Sequence, residues 1–463
     1  MQGISKYYFR FGFIFLAAIV LSSCAPKKNE EVSANTFKVP VEYYKLKNGL
    51  KVALSQDKTA PTVAVAVYYN IGFRIEPKDR TGFAHLFEHM MFQGSQNLGK
   101  KEFIKLVQSN GGILNGSTRF DFTNYFEVMP AHKLETALWA ESDRMKGLAI
   151  TQDNLTNQQD VVKNEVKVNV LNQPYGGFPW LDMPQYANDN WFNAHNFYGD
   201  LKDLDSAKLE DVDKFFKTYY APNNASLAVV GDFEMEDAKK WIEQYFGGIA
   251  SSTLPAKPDI SEKRQEKEKR FTKEDKLAEK PAIAFAYKMP ERNSPEYFAM
   301  GLIDQMLVQG QDSKLYLLLV QSKGYASGVN GGINYLGNMY NYSGPMVWMA
   351  DLIYDANVSP DSILFQVDKA VGELQKNVSQ EELDLAVVKI RSKLYDDLGG
   401  FFGIGRADML ACFALFDDDP SRINTLEDEF KKVTPELIQK TAQEYLRSTN
   451  RTVLIVDPKA NTK

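Results

Sequence analysis

Thr62–Tyr69 (TVAVAVYY) is β-branched and aromatic almost throughout, which predicts a strand. Upstream, Asn48-Gly49 sits between alternating apolar residues over 46–53, a hairpin signal. Helical patterns follow over 83–93, 101–110, 131–147 and 154–172. Ser206 is expected to cap a further helix running to Tyr220, and 227–230 reads as a buried strand ending at Gly231-Asp232. The pattern breaks over 251–281. There SSTLPAKPDI carries Pro and Ser, and SEKRQEKEKRFTKEDK is dense in charge. The stretch reads as a solvated linker or edge strand rather than a binding segment.

Beyond it the same logic restarts. Residues 282–287 are strand-like, and 296–307, 359–377 and 381–397 are helical in pattern. Thr434-Pro435-Glu436 opens a helix with a hydroxyl cap followed by Pro in the first turn, and 453–456 is a strand. Tyr220 and Asp232 are twelve residues apart, as are Tyr445 and Asp457. Each pair brackets a helix end, a loop and a buried strand, which points to an internal duplication. Alternating strands and helices in both halves predict α/β or α+β sandwiches, not an all-helical fold.

The first residues read as an address. Lys6 and Arg10 precede an apolar run over 11–21, well short of the ~20 residues that span a membrane comfortably, so 1–23 is a secretory signal. It ends Leu21-Ser22-Ser23-Cys24, which resembles a bacterial lipobox. Cys24 is therefore the expected acylated N-terminus, holding the protein to a membrane of the cell envelope. Ala25, rather than Asp, resembles lipoproteins sorted to the outer membrane. The expected organisation is signal 1–23, flexible tether 24–36, an N-terminal domain 37–250, a charged linker 251–281 and a C-terminal domain 282–463.

Composition narrows the chemistry. At 463 residues, 44% hydrophobic and 25% charged, the chain is neither collagen-like, coiled-coil nor wholly disordered. A net charge of −6 and a pI near 5.5 argue against nucleic acid, which needs a basic face. Two Cys exclude a disulfide-stapled fold and any zinc site with three or four thiolates. Cys412 lies in the apolar run ADMLACFALF and is expected in the core.

Two of the four His fall in Thr81–Met91, TGFAHLFEHMM. His85, Glu88 and His89 occupy positions i, i+3 and i+4, one face of a helix. Both imidazoles can reach one metal with a carboxylate beside it, and two neutral nitrogens so placed suit zinc. Zinc needs a third protein ligand. His132, near a helix start, and His195, in the loop NAHNFYGD, suit capping or surface roles better than ligation. Spacing does not choose among Glu127, Glu135, Glu141 and Glu165.

These motifs resemble the inverted-motif zinc peptidases of the pitrilysin or insulinase family (inverzincins, M16-type). The resemblance rests on GFRIEP, TGFAHLFEHMMFQGS, GGILNGSTRFDFTNYFEVMP, NQQDVVKNEVKVNV and DSKLYLLLVQSKGYASG. It implies an α+β fold of two homologous sandwich domains, each an antiparallel-rich sheet flanked by helices. It also implies a zinc endopeptidase or oligopeptidase acting on peptides or unfolded polypeptides in a closed chamber. Glu165, 76 residues after His89 in Val-Val-x-x-Glu, matches the family's third ligand. Gln158 stands where a supporting Glu often occurs. Asn115 and Gly116 fall on the edge strand that pairs with bound peptide, and Glu88 is the implied general base.

The family's Arg and Tyr for oxyanion stabilisation correspond here to Val320 and Ser327, with Tyr325 two residues off register. The expectation is a heterodimer whose related partner supplies that pair, with a homodimer using Tyr325 as the alternative. Other function classes to weigh are a non-catalytic scaffold and a lipid-anchored, peptide-capturing subunit of an envelope protease complex.

Overall fold

The computed structural model describes residues 38–400 and 403–458, so the signal, Cys24 and the tether 24–36 lie outside the described residues. From Pro40 onward the chain forms one compact unit. Strands β1 (Glu42–Lys45) and β2 (Lys51–Gln56) pair antiparallel across a turn at Gly49, whose φ of +92° is left-handed space that suits glycine. β3 (Thr62–Tyr69) runs between β5 (Thr123–Pro130) and β6 (Ala225–Gly231), antiparallel to both. β6 pairs parallel with β2, and among the described residues β4 (Ile113–Thr118) pairs only with β5, giving the order β1-β2-β6-β3-β5-β4.

The second half repeats this plan with β7 (Lys269–Asp275), β8 (Ala282–Lys288), β9 (Asn330–Ile333), β10 (Val347–Ile353) and β11 (Arg451–Pro458), in the order β7-β11-β8-β10-β9. The parallel pair β7–β11 corresponds to β2–β6, and the other neighbours are antiparallel in both sheets. β7 is an edge strand inside the charged stretch 251–281. The repeat is also marked by two asparagines. Asn224 Nδ2 bonds the carbonyls of Tyr219 and Asn70, and Asn450 Nδ2 those of Tyr445 and Lys288. Each ties a helix end to the end of the central strand. These bonds match Tyr445 with Tyr219, one residue from the Tyr220 pairing read from sequence.

The helices that matter here are α1 (Phe83–Met90), α2 (Glu102–Ser109), α3 (Leu134–Lys146), α4 (Gln152–Val166), α5 (Asp182–Ala187), α6 (Leu209–Tyr219), α7 (Met235–Phe246), α8 (Pro295–Leu307), α9 (Pro360–Lys376), α10 (Gln380–Gly399), α11 (Ile404–Asp417) and α12 (Pro435–Tyr445). Thr434 caps α12 by accepting the N–H of Leu437, as the sequence predicts, and Ser359 caps α9 in the same way through the N–H of Ser362. Ser206 does not open α6. It ends the short helix Leu201–Ser206, where its hydroxyl bonds the Asp203 carbonyl, and the Asp211 carboxylate instead takes the Lys208 N–H at the start of α6.

The sheets divide near the charged stretch, but two helices cross that division. Val63, Val65, Val67 and Tyr69 of β3 face a core shared with α1 and α3. The alternate positions Ala64, Ala66 and Tyr68 face α11, where the Tyr68 hydroxyl donates to Asp408 Oδ1 at 2.7 Å. In return α5 lies on the second sheet, with Met183 and Ala187 against Ala282, Ala284 and Ala286 of β8. Both central strands thus alternate Ala with larger residues, and the alanine face admits the other half's helix. This explains why ADMLACFALF is apolar and why Cys412 is fully buried. Among the described residues no single helix is long and apolar enough to cross a membrane.

Candidate metal centre

Helix α1 follows from two stripes in its sequence. Phe83, Leu86, Phe87 and Met90 are buried in the first core, which turns Glu88 and His89 toward the surface and leaves His85 at the boundary. Its first turn has no cap of its own. Gly82 is left-handed (φ +80°), and the fully buried Glu76 carboxylate accepts the N–H groups of Gly82 at 2.9 Å and Ala84 at 2.5 Å. An anion there also complements the positive end of the helix dipole.

His85 Nε2 and His89 Nε2 lie 3.4 Å apart. Glu165, in the last turn of α4, places Oε1 3.6 Å from the first and Oε2 3.3 Å from the second. Ligand atoms around a tetrahedral zinc at ~2.0–2.1 Å stand about 3.3–3.4 Å from one another, so the nitrogen pair and its distances to the two carboxylate oxygens are close to the spacings such an ion needs. One oxygen of Glu165 and one ring nitrogen of each histidine lie within 4.8 Å of one another, and in the tautomer with a free lone pair each can ligate a cation held between them. His85 is 4% exposed, whereas His89 and Glu165 are 21% and 27% exposed, so one side stays open. Burial, then the neighbouring His89, lowers the His85 pKa to about 4, so its imidazole is neutral at pH 7 and its lone pair is available. Burial pushes Glu165 up, but His89 and His85 outweigh it and hold the carboxyl below its ordinary range.

Of the four carboxylates that spacing left open, only Glu165 joins the two histidines among the described residues. Glu127 and Glu141 are buried beside Arg144, and Glu135 accepts the Tyr245 hydroxyl at the surface. His132 is exposed in the turn before α3. His195 stacks on Trp191, with Nε2 3.6 Å from Glu76 Oε2.

Glu88 is outside the converging trio. Its Oε2 accepts the Thr118 hydroxyl at 2.8 Å, and burial raises its pKa against the opposing effects of Thr118 and His89. Thr118 ends β4, the strand that passes over Glu88. A Cβ at Gly116 would lie 3.4 Å from Glu88 Cγ, and the exposed Asn115 side chain accepts the Gly116 N–H at 2.9 Å. Gln158 is buried on α4, with Nε2 donating to Asn157 Oδ1 at 2.7 Å. Sequence reasoning missed Thr118 and also Tyr198, whose hydroxyl donates to Glu165 Oε1 at 3.3 Å. Period-two alternation places Gly116 and Thr118 on one face of β4 and could have flagged the first. Nothing local flags the second. Among the described residues, no hydrogen bond, ion pair or ring contact joins 313–327 to His85, Glu88, His89 or Glu165.

The fold thus consists of two helix-flanked sheets, with the histidine–carboxylate trio on the first half. Residues 51–189 match the family model described as Insulinase (Peptidase family M16), and 206–389 match the one described as Peptidase M16 inactive domain. The chain belongs to the peptidase M16 family. The trio lies within the first match. The chain is 25% identical over 425 residues to Zinc protease PqqE of Helicobacter pylori, covering 89% of this chain and 92% of that one. It is 21% identical to Mitochondrial-processing peptidase subunit beta of Saccharomyces cerevisiae, over 77% of this chain and 78% of that one. A crystal structure of a protease from Helicobacter pylori shares the fold, with a TM-score of 0.83, 24% identity and coverage of 91% and 100%.

Proposed function

We propose that this chain is a zinc-dependent endopeptidase or oligopeptidase acting on peptides or unfolded polypeptides, with one Zn2+ held by His85, His89 and Glu165. The observation that carries this reading is the convergence of two ring nitrogens 3.4 Å apart on the Glu165 carboxylate, whose oxygens lie 3.6 and 3.3 Å from them, open on one side. Zinc bound there supplies Lewis acidity, bringing a water's pKa from 15.7 toward ~7 and polarising the peptide carbonyl. Glu88 accepts the proton of the attacking water and returns it to the leaving amine nitrogen. Thr118 holds the Glu88 carboxylate by Oε2, which fixes the angle at which that proton is taken. The free edge of β4, with Asn115 and Gly116, pairs with the backbone of an extended substrate and draws it past Glu88. This mode reads main chain more than side chain and predicts broad specificity.

The oxyanion donors are assigned to a second, related subunit. Val320 and Ser327 at the expected Arg and Tyr positions support this, as does similarity to proteins named as subunits. The lipobox-like Ser22-Ser23-Cys24 supports an anchored place in the bacterial envelope. Acyl labelling that survives Cys24→Ala would refute the anchor.

The test is zinc stoichiometry together with cleavage of a quenched peptide library, for wild type and Glu88→Gln, with and without partner chains. Glu88→Gln should keep zinc and lose turnover. A wild type that binds no zinc overturns the reading. Equal activity of the single chain and the two-chain mixture overturns the heterodimer.

A further inference from the structure

Gln158, expected beside the carboxylate ligand, donates its Nε2 to Asn157, and a residue far away in sequence lies against that ligand. Tyr198 donates its hydroxyl to Glu165 Oε1 at 3.3 Å and sets its ring edge-on to His85, with centroids 5.1 Å apart. The residue is 5% exposed, and its ring is wedged by further edge-on contacts with Trp180 and Phe197. Its hydroxyl therefore cannot swing away from Glu165 without disturbing three aromatic neighbours.

The backbone around Tyr198 is fixed just as closely, and to the same helix. The Tyr198 carbonyl fills the space a Cβ at Gly82 would need, at 2.4 Å, and a Cβ at Gly199 would meet Gly82 N at 2.3 Å. Both glycines have positive φ, so neither position accepts a side chain. The Asp200 N–H donates to Thr81 Oγ1 at 2.8 Å, and Thr81 Oγ1 donates to Asp203 Oδ2 at 2.5 Å. The segment 198–203 is thus locked to the start of α1, which carries His85 and His89. Glu165 arrives separately on α4, just before a π-helical turn over Lys167–Leu171. Tyr198 is the side chain that touches a ligand on each helix.

We propose that Tyr198 is the positioning residue of the metal centre. Its hydroxyl orients the Glu165 carboxylate and fixes it relative to the α1 histidines, the task that sequence comparison would give to Gln158. Partners of this kind turn the ligand and raise its basicity, and their loss typically costs 10–100-fold in metal affinity. The proposal rests on the metal-site reading above.

The experiment uses the full chain and Zn2+ alone, with affinity read by chelator competition for wild type, Tyr198→Phe, Glu165→Ala and the double variant. Tyr198→Phe keeps the ring and removes only the hydroxyl, and the melting curve of the metal-free protein controls for folding. Zinc affinity should fall about 10–100-fold in Tyr198→Phe with the metal-free melting temperature unchanged. Tyr198→Phe should cost nothing further once Glu165 is alanine, because the hydroxyl acts through that carboxylate. Unchanged affinity in Tyr198→Phe, or the same loss in both backgrounds, overturns the positioning role while the metal site stands. A wild type that binds no zinc overturns the metal-site reading itself.

Discussion

Thr118, at the end of β4, donates its hydroxyl to Glu88 Oε2 at 2.8 Å and also reaches the Ala84 carbonyl at 3.3 Å. One side chain therefore ties the edge strand to the helix that carries both histidines and the proposed base. Thr118→Val removes the hydroxyl at nearly constant volume. Glu88 then samples other orientations while the trio is untouched. The expected result is a fall in kcat of about ten-fold, a fraction of the 10²–10⁴ typical of general-base catalysis. Zinc content and KM should stay as in wild type, measured on the same preparation. A parallel loss of zinc would mean that Thr118 acts on the fold instead.

Glu76 is the cap of α1 supplied from a distance. Its two oxygens take the N–H groups of Gly82 and Ala84 inside a fully buried site, with His195 beside it. Glu76→Ala leaves two buried donors without an acceptor, at ~1–3 kcal/mol each. Chemical denaturation should show a loss of about 2–6 kcal/mol, the sum of the two. Glu76→Gln retains one acceptor oxygen and should fall between the two.

Much of this architecture was legible in the sequence because it is local. The i, i+3, i+4 spacing of His85, Glu88 and His89, the β-branched run of β3 and the hydroxyl cap of α12 are written within one element each. Ser206 misled because a hydroxyl before an amphipathic run is a cap signal. Here it is the last residue of one short helix, and Asp211 serves the next. Glu165, Thr118 and Tyr198 come from three other elements, and periodicity says nothing about which loop meets which helix. Glu165 needed a family resemblance to be singled out. The crossing of α5 and α11 left a trace that is plain only afterwards. Alanines alternate along β3 and β8, and small residues on a buried face make room for another helix.

That crossing has a consequence for stability. Met183 of α5 is fully buried against β8, although it precedes the charged stretch. Met183→Ala should cost about 2–5 kcal/mol, the range for large-to-small changes in a core. Because each half covers a sheet of the other, the loss should lower one cooperative calorimetric transition rather than split it into two. Two resolved transitions in the variant would show that the halves melt independently.

Asp304 on α8 gives the second half a pH-dependent stability separate from the metal centre. It accepts Trp348 Nε1–H at 2.7 Å and Gln309 Nε2–H at 3.1 Å, and burial pushes its pKa up to about 6 despite those bonds. The folded protein therefore holds this proton more tightly than the unfolded chain. Its contribution to stability is complete below the ordinary value near 3.8 and is lost as pH rises through about 6. A rise of about two units corresponds to ~3 kcal/mol as an upper figure. Asn is neutral throughout and, like a protonated carboxyl, keeps one acceptor oxygen. Urea unfolding from pH 4.5 to 7.5 should show Asp304→Asn gaining on wild type by up to about 2 kcal/mol, with the gain concentrated between pH 4.5 and 6.5. A stability difference that does not change with pH would mean that Asp304 is ionised in the folded protein across the whole range.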